Sequence, residues 1–205
     1  LTYPKARKTV DRNKIEKLLL CSMIDVLPWR KAVLFNIFKR KTLAQIEDNK
    51  RQVWFENLVQ NEGNYRSAAI DPENDVAVLQ YTGGTTGTPK AAMLTHANVS
   101  ANAIQVAAWY DPKDIGEEKF LAALPFFHVF AMTVAMTTAL RYGAQIIILP
   151  RFDLKTCLRA IANKKPTFFP AVPTILNAIN TYPDIRNHDL SSLKLCISGG
   201  APLPV

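Results

Sequence analysis

The stretch DVAVLQYTGGTTGTPKAAMLTH (75–96) decides how this chain is read. Its first part, DVAVLQY (75–81), is a short β-branched apolar run that ends at turn residues, which predicts a buried strand. The next nine residues hold Gly83, Gly84 and Gly87, Thr82, Thr85, Thr86 and Thr88, and Lys90. Glycines let successive backbone N–H groups converge on an anion, because a residue without Cβ takes positive φ at no steric cost. Threonine hydroxyls donate further hydrogen bonds, and a lysine adds a mobile positive charge. The expected guest is a polyphosphate. Glycine and threonine also make plain surface turns, so composition alone leaves that reading open.

Two familiar phosphate loops fit poorly. A Walker A loop needs Gly-Lys-Ser/Thr, whereas Gly87 is followed by Thr88, Pro89 and Lys90, with Ala91 after the lysine. The dinucleotide pattern G-x-G-x-x-G is absent, since Gly83 and Gly84 are adjacent and the next glycine is Gly87.

Beyond residue 96 the chain alternates regularly. A helix is predicted near 97–109, with Thr95 or Asn98 as its N-cap. A short strand at 120–124 leads through Pro125 to a helix at about 129–141 that ends before Gly143. QIIILP (145–150) reads as a buried strand, and Asp153 can cap a helix over 154–163. Pro166 precedes the strand TFFPA, Pro173 starts another helix, and LKLCIS (193–198) is the last strand. Alternation with continuous apolar strands predicts an α/β fold, a largely parallel sheet with helices on both faces. Ligands of such sheets sit beyond the carboxyl ends of strands. The glycine-rich loop, His128 and residues 198–202 all follow strands and are expected to converge on one cleft.

TGGTTGTPK followed by a small residue and MLTH resembles the phosphate-loop signature of the adenylate-forming (AMP-binding) enzymes: acyl-CoA synthetases, luciferases and peptide-synthetase adenylation domains. LPFFHVFAMT (124–133) is similar to the acyl-pocket motif of that superfamily, and LKLCISGGAPLP (193–204) to the strand and loop that border the adenylate. The order of the three agrees. One departure is Ala91, where the family usually has glycine; a positive φ there would strain an alanine.

The resemblance implies a chemistry in two halves. A carboxylate attacks the α-phosphorus of ATP to give acyl-AMP and pyrophosphate, and the thiol of coenzyme A then displaces AMP. It assigns Thr82, Gly83, Gly84, Thr85, Thr86, Gly87, Thr88 and Lys90 to the triphosphate, with Mg2+ bridging the phosphates. It places His128 near the substrate carboxylate and α-phosphate, with Phe126 and Phe127 shaping the acyl pocket. Gly199, Gly200, Ala201 and Pro202 would border adenine and the acyl-adenylate. Lys90 and His128 are thus the expected catalytic residues. Without the resemblance, His128 among phenylalanines reads as a satisfied core histidine, and Gly199–Gly200 as a tight turn.

By the same resemblance, the magnesium-holding glutamate, the ribose-binding aspartate and a mobile C-terminal domain with a catalytic lysine lie beyond residue 205. The sequence therefore reads as an internal piece of a large N-terminal domain, inactive alone, with no metal ligand of its own. Such a piece exposes faces meant for partners, which allows homodimerisation.

Composition fits a globular chain: 205 residues, 48% hydrophobic, with Cys21, Cys157 and Cys196 isolated and forming no C-x-x-C pair. Free thiols in a reducing, cytoplasmic setting are the simplest reading. No uncharged apolar run reaches a bilayer span, since Arg141 interrupts 129–149 and Asp25, Arg30 and Lys31 interrupt 18–38. Net charge is +8 and uneven: residues 1–66 hold 14 Lys/Arg against 7 Asp/Glu, and 67–205 hold 11 against 10. The sequence accordingly divides into a basic, partly irregular lead-in over 1–70 and an α/β nucleotide- and acyl-binding subdomain over 71–205.

Within the lead-in, PWRKAVLFNIFKRK (28–41) sets Trp29, Val33, Phe35, Ile37 and Phe38 between basic clusters, which predicts an amphipathic helix. It can dock on its own domain or lie peripherally on the inner, anionic face of the membrane. Nucleic acid is not expected, because no stacking aromatics are interleaved through the basic residues. Bacterial long-chain fatty-acyl-CoA ligases carry a similar segment. That favours a fatty-acid–CoA ligase, with fatty acid and CoA as partners. The alternatives are an aryl-CoA ligase or peptide-synthetase adenylation domain, and a non-catalytic anion- or membrane-binding module.

Overall fold

The computed structural model describes residues 3–13, 15–22, 24–39, 43–44, 46, 50–60, 62–82, 90–110 and 116–203. Its contacts divide the chain into two compact units, Leu1–Ala68 and Ala69–Val205. The central part of the glycine-rich loop, 83–89, lies outside the described residues.

The first unit is small. It holds α1 (Tyr3–Arg12), β1 (Leu18–Leu20), α2 (Trp29–Lys39), β2 (Gln52–Trp54) and α3 (Phe55–Val59). β1 and β2 pair in parallel, Leu18 opposite Gln52, and the Gln52 amide donates to the Tyr3 hydroxyl at 2.6 Å. Of the stretch 28–41, Trp29–Lys39 forms the expected helix, but it is not one-faced. Leu34, Ile37 and Phe38 lie three and four residues apart, but at about 100° per residue Trp29 falls on the side opposite Phe38, so the apolar residues spread round the helix. Trp29, Ile37 and Phe38 are 72%, 67% and 78% exposed.

The second unit opens on β3 (Val76–Thr82) and β4 (Lys90–Thr95), an antiparallel ribbon with Tyr81 opposite Ala91 and Thr82 opposite Lys90. β4 corrects the sequence reading, which ran from the loop directly into a helix. Ala91 lies in this extended strand; among the described residues the non-glycines with positive φ are Glu62 and Lys165. The alanine is therefore unstrained. α4 (His96–Tyr110) follows without a break. Thr95 Oγ1 accepts from the Asn98 N–H at 3.2 Å while Asn98 Oδ1 accepts from the Thr95 N–H at 3.1 Å, a reciprocal cap that uses both expected residues.

The main sheet is built from β5 (Lys119–Ala122), β6 (Gln145–Ile148), β7 (Phe168–Ala171) and β8 (Leu195–Ser198). They run in the order β6-β5-β7-β8, all parallel. Successive side chains point to opposite faces. Leu121 and Phe169 therefore pack with Leu158 and Ile161 of α7 (Leu154–Lys164) and Ile175 and Ile179 of α8 (Pro173–Asn180). Their neighbours Phe120 and Phe168 pack on the other face with Val134 and Ala139, the two rings stacked at 4.4 Å. Burying each such side chain is worth roughly 1.5–3 kcal/mol. The parallel sheet with helices on both faces is thus confirmed, and Asp153 caps α7 as expected, its carboxylate accepting from the Thr156 N–H at 2.9 Å.

At the amino edge of the sheet, Glu118 is buried. Its carboxylate accepts from Thr167 Oγ1 and from Lys194 Nζ, the latter at 3.1 Å, tying together the entries to β5, β7 and β8. The carboxyl ends of the strands form the opposite edge.

Candidate active site

The chain leaves β5 for β6 across one face of the sheet, then returns over the other face to β7 and β8. Where the winding reverses, between β5 and β7, the two connections part and leave a crevice at the carboxyl ends of the strands. A cleft of about 410 Å³ opens there. Its lining includes Gln80 and Tyr81 from β3, Leu124, His128 and Phe130 after β5, Val172 after β7 and Gly200 after β8.

Local chemistry holds each segment in place. His128 closes a turn, its N–H donating to the Pro125 carbonyl at 3.1 Å, and its own carbonyl accepts from the Met132 N–H at 2.9 Å. It is the extended N-cap residue of α5 (Val129–Ala131), with φ −86° and ψ 130°. The Phe127 ring lies 4.4 Å from the imidazole, tilted by 48°. Gln80 Nε2 donates to the Phe127 carbonyl at 3.4 Å, joining the ribbon to this turn. Gly199 continues β8 by donating to the Ala171 carbonyl at 3.2 Å, and lies directly beneath the Phe130 ring. Gly200 has φ +82°, a conformation that disfavours any side chain there.

Of the residues singled out in the sequence, the structure brings His128 and Gly200 to one cleft. Phe126, Phe127, Gly199, Ala201 and Pro202 are not among its lining residues, and Phe127 is 73% exposed. Lys90 stands at the start of β4 opposite Thr82, one residue along the ribbon from Tyr81. Gly83, Gly84, Thr85, Thr86, Gly87 and Thr88 lie outside the described residues. Gln80, Tyr81 and Val172 were not among the sequence candidates, whereas Phe130 stands in the LPFFHVFAMT motif. Each of the first three lies near the carboxyl end of a strand, and that position was the available signal.

The cleft is mostly apolar, and the polar residues in its lining are Gln80, Tyr81 and His128. Such a lining suits an apolar body with a polar head. Among the described residues no carboxylate lines it, and no group of three or more His, Cys, Asp or Glu could hold a metal ion. The described residues therefore do not supply a magnesium site. Beside the cleft, Ser198 Oγ is buried without a hydrogen-bond partner among the described residues. Cys157 is no nucleophile: burial, aided by the Asp153 charge, pushes its thiol up to about 12. Among the described residues, no helix is long and apolar enough to cross a membrane.

A four-stranded parallel sheet whose carboxyl edge opens on a cleft shared with Gln80 and Tyr81 of the β3–β4 ribbon defines the class. The family described as AMP-binding enzyme matches residues 5–205, and the chain belongs to that family. It is 42% identical over 209 residues to the long-chain-fatty-acid–CoA ligase of Bacillus subtilis (strain 168), covering 100% of this chain and 37% of that protein. A natural red-emitting luciferase from Phrixothrix hirtus superposes with a TM-score of 0.69 at 20% identity, over 96% of this chain and 39% of the luciferase. The inhibitor-bound N-terminal domain of FACL13 from Mycobacterium tuberculosis does so at 0.62 and 22% identity, over 98% of this chain and 48% of that domain. The two solved structures show the fold. The chain spans little more than a third of the Bacillus relative's length, 37%.

Proposed function

We propose that this chain carries the acid- and triphosphate-binding side of a fatty-acid–CoA ligase. The observation that supports it is the convergence of His128 after β5, Val172 after β7 and Gly200 after β8, with Gln80 and Tyr81 of β3, on one mostly apolar cleft. A fatty acid would lie with its chain in the cleft and its carboxylate toward His128. The carboxylate oxygen attacks the α-phosphorus of ATP; the bond to pyrophosphate breaks, leaving acyl-AMP. Lys90 and the loop N–H groups hold the departing phosphates and offset the charge that develops on them. Positioning the two reactants supplies a further part of the acceleration. Magnesium would travel with the triphosphate. Coenzyme A thiolate then attacks the acyl carbon, and AMP leaves.

The test is ATP–pyrophosphate exchange by the intact gene product with palmitate. Exchange that depends on palmitate and falls by more than tenfold in Lys90→Ala supports the reading. Exchange only with aryl or amino acids would move the protein to another branch of the family. None with any acid would leave an anion-binding module.

A second role is favoured by α2. Its exposed Trp29, Ile37 and Phe38 stand in the strongly basic first third of the chain, a combination suited to an anionic bilayer surface. Each basic residue near such a surface contributes about 1 kcal/mol, screened by salt. Co-sedimentation with phosphatidylserine vesicles should weaken with salt and with Lys39→Glu/Lys41→Glu. Unchanged binding in both would remove the electrostatic attachment.

A further inference from the structure

The helix that leaves the cleft after His128 is interrupted. α5 (Val129–Ala131) passes into a π-helical turn over Met132–Thr137 before α6 (Thr138–Arg141) resumes ordinary geometry. Two threonines sit at the end of that turn, and both direct their hydroxyls to carbonyls five residues back. Thr137 Oγ1 donates to the Met132 carbonyl at 2.9 Å, and Thr138 Oγ1 to the Thr133 carbonyl at 2.8 Å. The Thr138 N–H donates to the same Thr133 carbonyl. Thr138 is wholly buried, so its hydroxyl has no water to turn to. Isolated π-turns are rare and cluster at functional sites.

The turn has a geometric consequence. It holds one residue more than an α-turn, so the two ends of the helix are out of step by roughly 100°, one residue of a 3.6-residue turn. The far end is fixed, because Ala139 is locked into the core with Phe120 and Phe168. The near end carries His128 and Phe130 into the cleft, with Phe130 seated over Gly199.

We propose that Thr137 and Thr138 are positioning residues whose hydroxyls hold the π-turn and thereby aim His128 and Phe130 into the cleft. Unwinding the turn into plain α-helix, with the core end fixed, would swing both side chains away from Val172 and Gly200. The structural part stands on this geometry; its kinetic readout rests on the ligase reading.

The test compares Thr137→Val/Thr138→Val with Thr137→Ser/Thr138→Ser in the intact gene product. Valine keeps the shape and removes the hydroxyl; serine keeps the hydroxyl. Crystal structures of the valine pair should show α-helical hydrogen bonding over 132–137 and Phe130 displaced from Gly199. The KM for the acid should rise about tenfold, a 1.4 kcal/mol loss of binding. Thermal stability should stay near wild type, and the serine pair should restore KM. A retained π-turn with Phe130 in place would overturn the inference, as would a collapsed turn with unchanged KM. If the wild type activates no acid, the ligase reading fails and the crystal structures alone decide. Thr137→Val alone, at a half-buried position, carries the same test should the double variant not fold.

Discussion

Phe130 sits so close over Gly199 that a methyl group on residue 199 would lie 2.6 Å from the ring Cε2. Carbon atoms do not approach so closely without displacement. Gly199→Ala should therefore lift the ring and cost about 1–3 kcal/mol, the usual penalty for overpacking. Urea denaturation measures it. Adding Phe130→Leu should recover more than half of the loss, and an unaffected single variant would show that the ring is free to move aside.

The reciprocal cap between Thr95 and Asn98 is the hinge between β4 and α4. Thr95→Ala should lower stability by about 1 kcal/mol, because a cap hydroxyl satisfies an otherwise orphaned helix N–H. Thr95→Ser should cost much less. Equal losses in the two would point to the methyl group and away from the cap.

Asp153 gives a pH-dependent contribution. Hydrogen bonds from the Thr156 side chain and backbone hold its carboxyl below the ordinary value of 3.8. A carboxylate with a depressed folded-state pKa stabilises the fold above the unfolded pKa, and that stability is lost as pH falls through the folded value. The urea midpoint of Asp153→Ala should thus lie below wild type at pH 6. The gap should narrow below about pH 4. A gap independent of pH would mean that the carboxylate charge plays no part.

Cys157, buried at the sheet and held protonated up to about 12, should resist thiol reagents at pH 8 until the chain unfolds. Alkylation followed by peptide mass analysis, with and without urea, checks this. Labelling of Cys157 in the native chain at the rate of exposed Cys21 would show that α7 opens readily.

The strands and helices of the second unit were legible as apolar runs punctuated by proline, glycine and an aspartate cap, although β3, expected to be buried, leaves Val76, Leu79 and Tyr81 exposed. β4 was hidden. KAAMLT carries two alanines and one β-branched residue, and its strand form comes from pairing with β3. The π-turn was hidden for a different reason. VFAMTVAMTTAL keeps a helical spacing, and an extra residue in one turn leaves no mark on it. His128 was visible through its motif. Gln80 and Val172 carry no motif and enter the cleft only because strand ends meet there. The spread of apolar residues around α2 was legible in principle, and a count of its spacing would have shown it.

Phe168 and Phe169 are chain neighbours that belong to different cores. β7 is in effect a party wall: each side can be refurnished by its own substitutions without disturbing the other. A deletion or insertion of a single residue in this strand would exchange the tenants of both sides at once. Point changes on either face can therefore accumulate independently over generations, while the length of β7 is the quantity that selection must hold fixed.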